Sequence, residues 1–272
     1  MATNNYLQVE GLRFSVPHDE VKSVASRTAC PMCGERRRYY CYDCVVPIGH
    51  SPPVPAVNLP LTFHIVRHAS EKPSKSSVIP LKLIYPDKVF LYTFKQPNRF
   101  DPEAGEGTIF PCFPTDIDWD RAAVLFPGKG AKTVAELRSD GGEQGESVPF
   151  STSPLFEHII VIDATWTTAQ QVINKHPKIR TVATQIKLGE GNQTVFWRHQ
   201  NIDRSCLATC EAVYVLLREM HATTPPYNHQ FDDVLFYYVF VHGLISEFYT
   251  RTKKHRGHLP DYTIREEVHR LD

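Results

Sequence analysis

The stretch His158-Ile-Ile-Val-Ile162-Asp163-Ala-Thr165-Trp166 is an apolar run that ends in a carboxylate and passes at once into a helical segment. So apolar a run suits a strand covered on both faces. Residues 165–176 read as the helix that follows, stopped by Pro177. Working outward, strands are expected over 61–66, 89–94, 122–126, 181–186 and 194–197. Helices are expected over 132–138, 206–220 with Ser205 as N-cap, and 231–249, the last a buried C-terminal helix. Strands alternating with helices predict an α/β fold with a largely parallel sheet. The Pro- and Gly-rich stretches 97–121 and 139–154 read as surface loops.

The 272 residues are 42% hydrophobic and 22% charged, a globular balance that excludes a disordered chain. Lys+Arg and Asp+Glu both count 30, so no global basic field announces nucleic acid, although local patches can still bind it. The apolar runs are too short for a transmembrane span. The opening MATNNYLQVEGLRF lacks a cationic start and apolar core, so a secretory signal is not expected. The organisation read from this is a lead-in over 1–29, a cysteine module over 30–50, a main domain over 51–250 and a basic-then-acidic tail over 251–272.

Seven cysteines make an odd number, and without an export signal a disulfide framework is not expected. Four cluster as Cys30-Pro-Met-Cys33 and Cys41-Tyr-Asp-Cys44. Two CxxC pairs offer four thiolates, the donor set of a closed tetrahedral zinc site, and Gly34 fits the turn after the first pair. A redox site would want one pair at a helix start. Arg36, Arg37 and Arg38 with Tyr39 and Tyr40 could grip and stack RNA, or form a solvated loop with packing tyrosines.

Open α/β sheets bind ligands at the carboxyl ends of their strands, so three ends draw attention. Phe126-Pro127-Gly128-Lys129-Gly130 has neither P-loop nor dinucleotide-binding spacing and reads, taken alone, as a turn. Asp163 is either a helix cap or a positioned acid or base. Glu211 sits beside the apolar stripe of its helix, where it implies a buried ion pair or substrate recognition. Asp116-Ile-Asp118-Trp-Asp120 starts like a calcium loop but lacks the required Gly and Glu. The basic run Arg251–Arg256 reads equally as an RNA contact or a solvated helix end.

In this order the pieces resemble the DTW-domain family of tRNA-uridine aminocarboxypropyltransferases. Its DxTW signature is similar to Asp163-Ala-Thr165-Trp166. The four-cysteine knuckle, His68-Ala-Ser-Glu71, Leu125-Phe-Pro-Gly128 and Cys206-Leu-Ala-Thr209-Cys-Glu-Ala212 add to the likeness. Phe196-Trp-Arg-His-Gln200 and the aromatic C-terminal helix resemble the eukaryotic type 1 branch. Three departures stand out: Ala69 replaces a Pro, Lys75-Ser-Ser77 stands where Asn-Thr-Gly is common, and Ala208 and Cys210 replace a Ser and an Ile.

The resemblance implies a SPOUT-like parallel sheet with helices on both faces and a C-terminal knot. It implies S-adenosylmethionine as donor, held by Phe126, Pro127, Gly128, Thr165, Trp166, Leu207, Ala208, Thr209 and Glu211. Asp163 would accept the uridine N3 proton or orient the base. The partner would be tRNA, met by Arg36, Arg37, Arg38 and Arg198, with structural zinc on Cys30, Cys33, Cys41 and Cys44. A nuclear location follows from the resemblance alone, and a monomer is slightly favoured. A SPOUT-like methyltransferase and a non-catalytic RNA-binding zinc protein stay open beside this reading.

Overall fold

In the computed structural model, residues 6–96, 107–140, 155–182, 184–195, 205–221 and 226–252 are described. After α1 (His18–Lys22) come two small antiparallel ladders, β1 (Thr28–Ala29) with β2 (Arg36–Arg37) and β3 (Tyr40–Cys41) with β4 (Val46–Pro47). The main domain then runs β5 (Thr62–His68), α2 (Ile79–Ile84), β6 (Val89–Lys95), β7 (Thr108–Phe110), β8 (Ala122–Leu125) and α3 (Val134–Asp140). It continues through β9 (His158–Asp163), α4 (Trp166–Lys175), α5 (Pro177–Thr181), β10 (Thr184–Ile186), α6 (Thr209–Met220) and α7 (Phe236–Thr252).

Six strands form one sheet in the order β10-β8-β9-β5-β6-β7. All neighbours are parallel except β7, which runs antiparallel to β6 at the edge. The expected mixed α/β architecture is therefore present. Because side chains alternate along a strand, each strand feeds two cores. Ile159 and Val161 of β9 join Phe63 and Ile65 of β5 against α6 and α7. Ile160 and Ile162 join Val66 of β5 against α4 and α5. Both faces are buried, so the strands read as continuous apolar runs instead of alternating ones.

Several boundaries differ from expectation. Residue 181 ends α5, so the strand expected over 181–186 shrinks to β10. Thr194 and Val195 are irregular, and 196–204, with Arg198, lie outside the described residues. The expected knot, which depends on the path through that segment, likewise falls outside the described residues. α6 begins at Thr209 with Ala208 as N-cap, not Ser205. Asp118 caps a short 3-10 turn by accepting from Asp120 N, so its neighbourhood is a loop with a job in folding. The short elements α1, α2, α5 and β7 were not expected. The C-terminal helix opens with a 3-10 turn, Asp232–Leu235, whose two aspartates are buried.

The lead-in and the cysteine module lie against α7 and its opening turn. Asp232 and Asp233 accept the backbone N–H groups of Arg13 and Ser15 at 2.7 and 2.9 Å. Tyr39 packs edge-on to Phe240, and Tyr40 to Tyr237.

Glu211, three residues past the N-cap of α6, is fully buried. The expected ion pair is replaced by four neutral donors. Val195 N and Tyr238 Oη donate to Oε1 at 2.7 and 2.9 Å; Ala208 N and Thr194 Oγ1 donate to Oε2, both at 2.6 Å. Burial pushes the pKa of this carboxyl up, and the four donors oppose the shift. The bond from Ala208 N is half of a capping box; an alanine side chain cannot return the other half. Each oxygen faces one backbone N–H that can only donate. In Glu211→Gln, an amide NH2 must therefore meet an N–H whichever way it flips. That variant is expected to lose about 2–3 kcal/mol in urea unfolding, and a loss below about 1 kcal/mol would show that the four bonds are dispensable.

Candidate active site

The strand order places the site. From β5 the chain moves outward to β6, then returns to build β8, β9 and β10 on the other side. Between β5 and β9 the order reverses, and loops from their carboxyl ends diverge to leave a crevice. A cleft of about 980 Å³ opens there. It is walled by the loop after β5, the ends of β8 and β9, the loop after β10, and the segment leading into α6.

Asp163 ends β9 inside this cleft and is 9% exposed. Its parity along the strand points it to the α6 face of the sheet. There Ser76 Oγ donates to Oδ2 at 2.6 Å and Thr209 Oγ1 donates to Oδ1 at 2.7 Å. The cap reading is therefore wrong for this residue: Thr165 is the N-cap of α4. Two hydroxyls fix the carboxylate's plane while each oxygen keeps a further lone pair. Ser77 Oγ accepts Cys210 N at 3.2 Å, so Ser76 pins the loop after β5 to the end of β9 and Ser77 pins it to the start of α6. Their position was noted in the sequence only as a departure from the family.

Phe126, Pro127, Thr165, Trp166, Leu207, Ala208 and Thr209 all line the cleft. Trp166 is 39% exposed, and its ring lies 5.6 Å from that of buried Phe126 at an interplanar angle of 48°, giving the mouth an aromatic wall. Two expected donor contacts fall elsewhere. Gly128 lies outside the lining; a Cβ there would come within 2.2 Å of Gln185 Oε1. Glu211 is also outside it, its oxygens already met by protein donors.

The four cysteine Sγ atoms lie within 4.8 Å of one another. Tetrahedral Zn–S bonds of ~2.3 Å require sulfurs about 3.8 Å apart, and Cys33 and Cys41 Sγ stand at 3.7 Å. Each pair is followed by a residue of positive φ, Gly34 at 76° and Val45 at 55°. The cluster thus fits a zinc knuckle. Of the three arginines inside it, Arg37 pairs with Asp43 at 2.7 Å and stacks on Tyr42. Arg38 Nε bonds Val24 O at 3.0 Å, and Arg36 bonds Arg27 O at 3.0 Å. All three brace the module; Arg36 and Arg38 remain exposed.

The fourth strand end, Lys187-Leu-Gly189-Glu-Gly191-Asn192, was missed as a site. All six residues line the cleft. Two glycines just past a strand were the available signal. Lys187 N bonds Lys132 O at 3.0 Å, Gly189 N donates to Glu219 Oε1 at 2.8 Å, and Asn192 Oδ1 accepts Tyr6 N at 2.9 Å. Burial raises the Glu219 carboxyl to about 7, against the lowering effect of the Gly189 N–H. Between the ordinary value of ~4.3 and this one, the native chain holds a proton the unfolded chain has lost. Stability contributed by the neutral group is therefore lost as pH rises through that window. Glu219→Gln is expected to match the wild type in melting temperature near about pH 4, pull ahead toward about pH 7, and hold a constant lead above it. A lead that does not change with pH would contradict the assignment.

Comparison with known proteins agrees with this geometry. The family model described as the DTW domain matches residues 38–246. The mouse tRNA-uridine aminocarboxypropyltransferase 1 (Mus musculus) is 28% identical over 256 residues, 82% of this chain and 78% of that protein. The proteins of the same name from Xenopus tropicalis and Homo sapiens are 28% and 27% identical, covering 88% and 86% of this chain and 85% and 82% of their own. No solved structure matches the chain significantly. With the Asp163–Trp166 signature placed at the mouth of the cleft and the match spanning most of the sequence, the chain belongs to the DTW-domain family.

Proposed function

We propose that the chain transfers the 3-amino-3-carboxypropyl group of S-adenosylmethionine to N3 of a tRNA uridine. The observation that carries this reading is Asp163, held by Ser76 and Thr209 inside a cleft of a DTW domain whose relatives are named tRNA-uridine aminocarboxypropyltransferases. The sulfonium activates all three of its attached carbons, so the protein's task is to choose which one faces the nucleophile. Uridine N3 forms a bond to the propyl carbon next to sulfur. The carbon–sulfur bond breaks, its electron pair returns to sulfur, and methylthioadenosine leaves. The N3 proton passes to Asp163, whose remaining lone pairs are free for it. The Trp166 face offers a stacking surface for a base that must leave its pair to expose N3.

Two labelled donors test the reading. Label from the propyl carbons should enter total tRNA and label from the methyl group should not. Methyl label entering instead would make the chain a methyltransferase. In Asp163→Asn the hydroxyls of Ser76 and Thr209 can reverse roles, so the fold should hold. Transfer should fall by about 10²–10⁴-fold with donor affinity kept within about threefold, and an unchanged rate would remove Asp163 from the chemistry.

Zinc in the four-cysteine module is part of the same proposal. Its ligands are the four thiolates alone, so its role is structural. Metal analysis should give one zinc per chain. A strong chelator should lower the melting temperature. An unchanged melt after zinc is stripped would contradict that role. The nuclear location and the tRNA contacts of the module follow from the family resemblance, and tRNA binding through Arg36 and Arg38 should weaken as salt is raised.

A further inference from the structure

Asn192 is 6% exposed, lines the cleft, and has one satisfied and one unsatisfied end. Its Oδ1 accepts the backbone N–H of Tyr6 at 2.9 Å. A backbone N–H can only donate, so the atom facing it must be the oxygen, and the orientation of the amide is settled by chemistry. The other end, Nδ2, is buried and has no hydrogen-bond partner among the described residues. An amide with both N–H bonds unmet is costly, and native proteins rarely keep one without a use. Here the residue lies in the wall of a cleft large enough for a nucleoside-sized ligand. It is carried on a loop held at three points, by Lys132, Glu219 and Tyr6.

We propose that Asn192 Nδ2 donates a hydrogen bond to an acceptor atom of the bound S-adenosyl compound, making Asn192 a donor-binding residue. The inference rests on the proposed reaction, which puts that compound in this cleft. The acceptor is an oxygen of the amino-acid arm or a nitrogen or oxygen of the nucleoside. The anchored amide presents a donor in either case.

Calorimetric titration of the full chain with S-adenosylhomocysteine and with methylthioadenosine separates these sources. Asn192→Asp, measured at pH 8, keeps an oxygen for Tyr6 N–H and replaces the donating NH2 by an atom that only accepts. Affinity for S-adenosylhomocysteine should fall about tenfold or more. A matching fall for methylthioadenosine assigns the contact to the nucleoside, and an unchanged value for it assigns the contact to the amino-acid arm; both uphold the proposal. Unchanged affinity for both compounds overturns it. A wild-type chain that binds neither compound overturns the donor reading of the cleft itself, and this inference with it. Should the variant not fold, the wild type gives an independent reading. With ¹⁵N-asparagine labelling, the Asn192 side-chain NH2 resonances should shift on saturation with S-adenosylhomocysteine, and resonances that stay in place overturn the proposal.

Discussion

A carboxylate shut off from water must have its lone pairs met from within the protein, and Glu211 imposes that condition on three parts of the chain at once. Its oxygens draw in Thr194 and Val195 from the segment after β10, Ala208 from the turn before α6, and Tyr238 from α7. The position of the first turn of α6 follows from this. Thr209, one residue past the N-cap, then reaches Asp163, and Cys210 N reaches Ser77. A side chain outside the lining of the cleft thus sets the position of residues that line it.

A pair of buried carboxylates, Asp232 and Asp233, does similar work for the other end of the chain. Asp232 accepts Arg13 N, the hydroxyls of Tyr214 and Tyr227, and the ring of His229. Asp233 accepts Ser15 N, and burial raises its pKa against that bond. The lead-in is drawn along the C-terminal helix, and its first described residue, Tyr6, arrives beside the cleft. There its N–H meets Asn192 Oδ1, and its ring lies under Arg218, whose guanidinium stands 4.8 Å away. Segments that the sequence separates as accessory are therefore wired to the site by backbone N–H groups.

Much of the fold was legible because its strands are buried on both faces and its helices carry a clear apolar stripe. The β9 run and the carboxylate ending it were plain, as was the four-cysteine spacing. What stayed hidden was short or contextual. β7 has three residues, too few for a period. α2 is Ile-Pro-Leu-Lys-Leu-Ile, apolar on every side but one, and a buried strand would read the same way. Glu211 was rightly suspected of being buried, but nothing in the sequence distinguishes a salt bridge from four neutral donors contributed by distant residues. Asn192 was invisible for the same reason. Its partner lies 186 residues away.

The arrangement around Asp163 says where the difficulty of the proposed reaction lies. A carboxylate that accepts two hydroxyls is well oriented, and orientation is what a donor with three activated carbons demands. Ser76 and Thr209 come from different elements, and neither can shift without moving the β5 loop or the first turn of α6. The family departure at Lys75-Ser-Ser77 sits in this clamp. The Ser76 hydroxyl, one torsion away from Oδ2, supplies the bond here. The demand on this position is for a short donor at the right distance from the end of β9, and a serine meets it.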